Sequence, residues 1–154
     1  MVNQNKATRL RVAAFILNSK NELLLVKHEK NGRSYWLLPG GGVEFGESLK
    51  QALKRELKEE LSIEKCKLEN IVFVNDTLYP DKSRHILNIN FRVRVAGSGS
   101  FKVKPDRVLK TAEFINKEKF KKILFYPGIK KNIIKMWETK FMKNEGYVRT
   151  SFKP

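Results

Sequence analysis

A chain of 154 residues, 41% hydrophobic and 31% charged, can bury a sizeable core; this excludes disorder as the default and sets the expectation of one domain over 1–154. Its 32 basic and 16 acidic side chains give a net charge of +16, a field that attracts nucleotide phosphates, RNA or an acidic membrane surface. The one cysteine, Cys66, excludes an intramolecular disulfide and a cysteine-based zinc cluster, and no apolar run approaches the ~20 residues of a membrane span.

The polar start MVNQNKATR is not a signal peptide, so the expected compartment is cytoplasmic, with no membrane partner. Strands are expected at Thr8 to Leu17 and Glu22 to His28, joined by the turn Asn18-Ser19-Lys20-Asn21. The run Leu23-Leu24-Leu25-Val26 suggests burial on both faces. Asn31-Gly32 marks another turn, and Tyr35 to Leu38 is a short strand leading into Pro39-Gly40-Gly41-Gly42. Proline followed by three glycines favours a tight, exposed loop with accessible carbonyls rather than helix or strand.

From about Glu47 the pattern turns helical, with Ser48 as cap and Leu49, Leu53, Leu57 and Leu61 at four-residue steps. At about 100° per residue, Glu56 and Glu60 fall inside this leucine stripe and Glu59 lies about 60° from Glu56, while Lys50, Lys54 and Lys58 cluster elsewhere. Carboxylates crowded on a half-buried face repel and lose hydration, so they bind protons or need a cation. A hard divalent ion with oxygen ligands answers that need: Mg²⁺ takes one or two carboxylates plus substrate phosphates, and a Gly40 or Gly41 carbonyl can add to it.

Two long strands follow, about Lys67 to Leu78 and His85 to Ala96, joined by Tyr79-Pro80-Asp81-Lys82-Ser83-Arg84. Gly97 to Ser100 reads as a loop and Lys110 to Ile115 as a strand. Asn116 caps a short helix through Lys122, Pro127-Gly128 breaks it, and Ile129 to about Lys143 is a last helix with Ile133, Ile134 and Trp137 inward. The cationic excess concentrates here: residues 101–154 hold 15 Lys/Arg against 5 Asp/Glu. Strands flanked by helices give an α/β sandwich, a mixed sheet held between helices.

The spacing Gly41, five residues, Glu47, seven residues, then Arg55-Glu56-Leu57-Lys58-Glu59-Glu60-Leu61-Ser62-Ile63 resembles the Nudix box of the Nudix hydrolases. It matches eight of the nine fixed positions over 23 residues, with Ser62 where the family has glycine in the turn leaving the helix. The resemblance implies the Nudix-type α/β/α sandwich and hydrolysis of a nucleoside diphosphate linked to another group. It also implies Glu59 and Glu60 as principal metal ligands with the Gly40 carbonyl, Glu56 as ligand or general base, and Arg55 orienting the glutamates. Glu47 would join the metal shell or hold the loop. Mg²⁺ is the implied cofactor, and Mn²⁺ suits the same oxygens.

Family members differ in the base, some using a carboxylate on a later loop. Asp106 is the convenient candidate there, and Glu56 is preferred. For the substrate, Tyr79 resembles the tyrosine of diadenosine polyphosphate hydrolases and Pro80 the proline of ADP-ribose pyrophosphatases, while turn chemistry alone explains both. An ADP-ribose-like nucleotide is the favoured substrate, with diadenosine polyphosphates or oxidised nucleoside triphosphates next. Trp36, with Tyr35 and Phe45, suits base stacking or the core, Gly41 backbone contact, and Arg33, Arg84 and His85 phosphates or a solvated surface. A basic module binding RNA or nucleotide is the reading of another class; nucleic acid is the less favoured partner. Many relatives pair, so a homodimer is allowed.

Overall fold

The computed structural model describes residues 7–96 and 101–151; the expected Gly97 to Ser100 loop and most of the polar start lie outside them. Among the described residues there are eight strands: β1 (Arg9–Phe15), β2 (Leu23–Lys30), β3 (Arg33–Leu37), β4 (Gly40–Gly42), β5 (Cys66–Leu78), β6 (His85–Val95), β7 (Leu109–Ile115) and β8 (Tyr147–Ser151). The helices are α1 (Leu49–Leu61), α2 (Lys117–Lys122) and α3 (Lys130–Met136), the last followed by a 3₁₀ turn at Trp137–Thr139.

The α/β arrangement is as expected, with the strands divided between two sheets. One is mixed, in the order β4-β1-β6-β5-β8, with β1 parallel to β6 and β5 parallel to β8; the other is antiparallel, β3-β2-β7. They join where β1 passes into β2, the Ile16 carbonyl accepting from the Leu24 amide at 2.9 Å. Strand alternation then builds two cores. Val12 and Ala14 of β1, with Ile16 just beyond its end, meet Ala52, Leu53, Leu57 and Leu61 of α1. Ala13 and Phe15 point the other way, to Phe120, Ile133, Trp137 and Phe141. Leu23 to Val26 of β2 are fully buried because they serve both cores in turn. Helices thus cover both faces of the sheets.

Gly40 to Gly42 is not the open loop expected from its composition. It is an antiparallel strand paired with Arg11 to Ala13, and it needs glycine because a Cβ on Gly40 would stand 2.1 Å from the Val12 carbonyl oxygen, at φ +145°. At the other end of α1, Ser62 takes the left-handed conformation at φ 56°, where glycine is unstrained. Its hydroxyl donates to the Lys102 carbonyl at 3.1 Å.

The last helix is shorter than expected. Lys140 and Phe141 turn left-handed at φ 51° and 57°, which swings Phe141 onto Phe15 with ring centroids 4.4 Å apart. That reversal carries the chain back to β5, where β8 forms a strand that no pattern after Lys143 announces; its register is supplied by β5 and its inner residue, Val148, packs on the core.

Candidate active site

Helix α1 is set firmly at its start. Ser48 caps it, accepting from the Gln51 amide while the Gln51 side chain accepts from the Ser48 amide at 2.8 Å. The leucines on its buried face fix its rotation, so Arg55, Glu56, Glu59 and Glu60 all face β4 and the loop before the helix.

Arg55 is the hub. Its Nε and Nη2 donate to the two oxygens of Glu47 at 2.7 and 3.0 Å, its Nη1 to Glu56 at 2.9 Å and Glu59 at 3.3 Å, and its Nη2 to the Gly42 carbonyl at 3.0 Å. The fork geometry of guanidinium matches carboxylate edges, which is why one arginine can hold three of them. Glu47 is held down at about 2 by the Arg55 hydrogen bonds and by the Glu44 amide. With both oxygens engaged, Glu47 stands as the brace of the glycine-rich segment.

Glu60 reaches across to β4, its Oε2 accepting from the Gly40 amide at 3.2 Å. Burial pushes its carboxyl up to about 7 against the Gly40 hydrogen bond, with the charge of Glu56 adding to the rise. Gly41 sits behind Glu56, since a Cβ there would lie 2.2 Å from the Glu56 carboxyl carbon. Glycine at this position makes room for a carboxylate. Glu59 is the most exposed of the three, its side chain 59% accessible.

Among the described residues no three acidic, imidazole or thiol side chains stand close enough to enclose an ion, because Arg55 occupies the middle of the glutamates. The donor set nevertheless suits a hard divalent cation. It is all oxygen, partly buried, and in Glu60 carries a carboxyl whose ionisation costs free energy until positive charge approaches.

Beside this cluster lies a cavity of about 900 Å³. Arg9, Arg11, His28, Lys30, Arg33 and Arg84 line it, and no carboxylate does among the described residues. Tyr35, Tyr79 and Tyr126 supply aromatic surface, Tyr35 lying edge-on to Tyr126 with centroids 5.4 Å apart. Arg84 stands 5.9 Å over the Tyr79 ring across the β5–β6 turn, which the Tyr79 amide closes on the Arg84 carbonyl at 3.0 Å.

The structure brings Arg33, Tyr79 and Arg84 to this cavity and takes Trp36 away from it. Trp36 is 8% exposed and belongs to the core with Phe125, because strand alternation sends Tyr35 and Leu37 to the cavity and Trp36 to the opposite face. Phe45 is fully exposed. His85 pairs with Asp76 at 2.6 Å, away from the cavity lining. Asp106 is a turn residue whose Oδ1 accepts from the amides of Val108 and Leu109 at 2.6 and 2.7 Å, bonds that hold its carboxyl below the usual range.

Arg9, Arg11, His28 and Tyr126 escape a reading based on spacing alone. The first two carried a signal, since arginines two apart in TRLRVAAF share one face of a strand otherwise built for the core.

Residues 7–135 match the NUDIX domain. Over 111 residues, 71% of this chain and 63% of the relative, the sequence is 33% identical to an ADP-ribose pyrophosphatase of Methanocaldococcus jannaschii. Over 62 residues, 40% of this chain and 38% of the relative, it is 36% identical to an RNA pyrophosphohydrolase of Orientia tsutsugamushi. The chain thus spans less than two thirds of either relative. The fold is similar to the crystal structure of a MutT protein from Methanosarcina mazei, with a TM-score of 0.69, 24% identity, and coverage of 90% of this chain and 99% of that one.

Proposed function

Because this chain belongs to the Nudix hydrolase family, we propose that it is a Mg²⁺-dependent pyrophosphohydrolase cleaving the phosphoanhydride of a nucleoside diphosphate linked to a further group, an ADP-ribose-like nucleotide first among its substrates. One observation carries the reading: three glutamates gathered by Arg55 stand beside a cationic cavity that holds no carboxylate among the described residues. A module that only bound polyanions would gain nothing from carboxylates placed where phosphates come to rest.

Glu56, Glu59, Glu60 and the Gly40 carbonyl would hold the ion, and Mn²⁺ suits the same oxygens. When bound, a divalent ion neutralises phosphate charge and acidifies water. The protein's own contribution is positional. Arg55 holds Glu56 in its half-buried position and tethers the exposed Glu59, and Glu47 ties Arg55 to the loop. Glu56 serves as ligand or, as this reading prefers, as general base; Arg55 holds its carboxylate against Gly41, and as base it would take a proton from the attacking water. The cavity arginines hold the phosphates, and Tyr35 and Tyr126 offer faces or edges to a base or sugar.

The ADP-ribose-like preference draws on the name of the Methanocaldococcus relative. Lys30, Arg33 and Arg84 favour a second reading, in which diadenosine polyphosphates or oxidised nucleoside triphosphates, with more than two phosphates, are cleaved. Phosphate release tests both, with Mg²⁺ and with chelator, across ADP-ribose, diadenosine polyphosphates, nucleoside triphosphates, nucleotide sugars and 5′-triphosphorylated RNA. A metal-dependent preference for ADP-ribose supports the first reading and a preference for longer polyphosphates the second. Silence throughout, without metal binding, would shift the reading to a basic module binding RNA or nucleotide. The work is expected of one domain in the cytoplasm, as monomer or homodimer.

A further inference from the structure

Arg11 and His28 carry side-chain nitrogens that the fold buries without giving them a partner. Among the described residues, Arg11 Nε and His28 Nε2 both have no hydrogen-bond partner. This is unusual for polar atoms out of water, where an unmade hydrogen bond costs about 1–3 kcal/mol. Both residues line the cavity. They approach it from different sheets, Arg11 on β1 and His28 on β2.

Arg55 spends all its nitrogens on three carboxylates and a carbonyl. Among the described residues Arg11 makes a single long bond, Nη2 to the Gly40 carbonyl at 3.4 Å. Its charge faces that of Arg9 on one side and those of Glu60 and Glu56 on the other. A guanidinium kept solely to balance Glu60 would be bonded to it, and Glu60 instead takes the Gly40 amide. Arg11 therefore keeps donors in reserve at the point where the glutamate cluster meets the cavity. His28 is held neutral by burial and by the Arg11 charge, against Asp106, so it can offer one N–H to an oxyanion without adding charge.

Resting on the pyrophosphohydrolase reading, we propose that Arg11 and His28 form the cradle for a substrate phosphate at the inner end of the cavity, next to Gly40 and the glutamates. Arg11 gives it a charged, two-pronged grip and His28 a neutral hydrogen bond. The phosphate supplies the acceptors that the fold withholds from both side chains. This makes the two residues substrate-binding groups that fix which phosphate lies against the glutamates.

The test is calorimetric titration of inorganic pyrophosphate, without metal, into the whole protein and its Arg11→Ala, Arg11→Lys and His28→Ala variants. Thermal unfolding and Mg²⁺ affinity are measured alongside. The cradle predicts at least about a tenfold loss of pyrophosphate affinity in Arg11→Ala. It predicts smaller losses in Arg11→Lys and His28→Ala, recovery of Arg11→Ala by added ethylguanidinium, and no loss of Mg²⁺ affinity, since a positive charge beside the glutamates has been removed. In turnover, KM should rise more than kcat falls. Equal pyrophosphate affinity in wild type and Arg11→Lys and Arg11→Ala, or a loss confined to Mg²⁺ affinity or unfolding temperature, would overturn it. Should Arg11→Ala not fold, Arg11→Lys and His28→Ala decide. The underlying reading fails separately: a substrate panel silent in wild type, with Arg11-dependent pyrophosphate binding intact, removes the hydrolase and leaves the cradle.

Discussion

Glu60 and Gly40 are twenty residues apart in sequence and joined by a hydrogen bond of 3.2 Å from the Gly40 amide to Glu60 Oε2. That bond ties α1 to β4, and it makes Gly40 and Gly41 separable in experiment.

Gly40→Ala should damage the fold and Gly41→Ala the chemistry. A methyl at Gly40 meets the Val12 backbone at 2.1 Å, which cannot move away, so unfolding should occur at a clearly lower temperature. A methyl at Gly41 meets the end of the Glu56 side chain, which can swing aside. Gly41→Ala should therefore unfold nearly as wild type while turnover falls about 100-fold. Calorimetry and initial rates on the two variants compare the effects; the reverse pattern would refute the assignment of Gly41 to Glu56.

Arg55→Lys keeps the charge and loses the fork. A single ammonium cannot reach Glu47, Glu56 and Glu59 together, so kcat/KM should drop about 100-fold with little change in folding. Wild-type rates in Arg55→Lys would show that charge alone is needed.

Stability should respond to pH through Glu60. Its folded value, about 7, lies above the reference value of 4.5, so the folded protein holds the proton more tightly than the unfolded one. The stabilisation this gives is complete below about 4.5 and lost as pH rises through about 7, a difference of a few kcal/mol at about 1.4 kcal/mol per pH unit. Metal-free protein should thus lose stability from Glu60 across that window, and Glu60→Gln should flatten the slope. Mg²⁺, which competes with the proton, should raise the unfolding temperature more at pH 8 than at pH 5.5. Equal shifts at the two pH values would count against Glu60 as a ligand.

The lysines of the C-terminal third do not act alike. Lys130 Nζ donates to the carbonyls of Lys121 and Ile123 at 2.7 and 2.6 Å, closing the end of α2. Lys130→Met should cost about 1–2 kcal/mol in urea unfolding. Lys131→Glu with Lys135→Glu, both exposed, should leave stability alone and reduce RNA affinity and its salt slope if this face meets polyanions. An unchanged salt slope would confine the cationic surface to solvation.

Much of this was legible in sequence where local rules and packing agree. Ser48 and Asn116 cap as their spacing predicts, and the leucine step of α1 fixes which way its glutamates face. The residues that escaped are those whose role depends on contacts between distant segments. Trp36 reads as a stacking or core residue beside a glycine loop, and strand parity puts it in the core. Arg11 and His28 line one cavity because strands of the two sheets both border it. Strand β8 has no marked pattern of its own, since β5 supplies its pairing. The glycine run reads as loop because glycine favours loops; here it is a strand pressed against β1 and a carboxylate.

The most direct measurement is turnover by Glu59→Gln and Glu60→Gln on the best substrate found for wild type, with circular dichroism to check the fold. Each keeps its shape and loses only a charge. If the glutamates hold the ion that drives anhydride cleavage, both variants fold as wild type and lose metal-dependent turnover by about 100-fold or more. Unchanged activity in both would contradict the account.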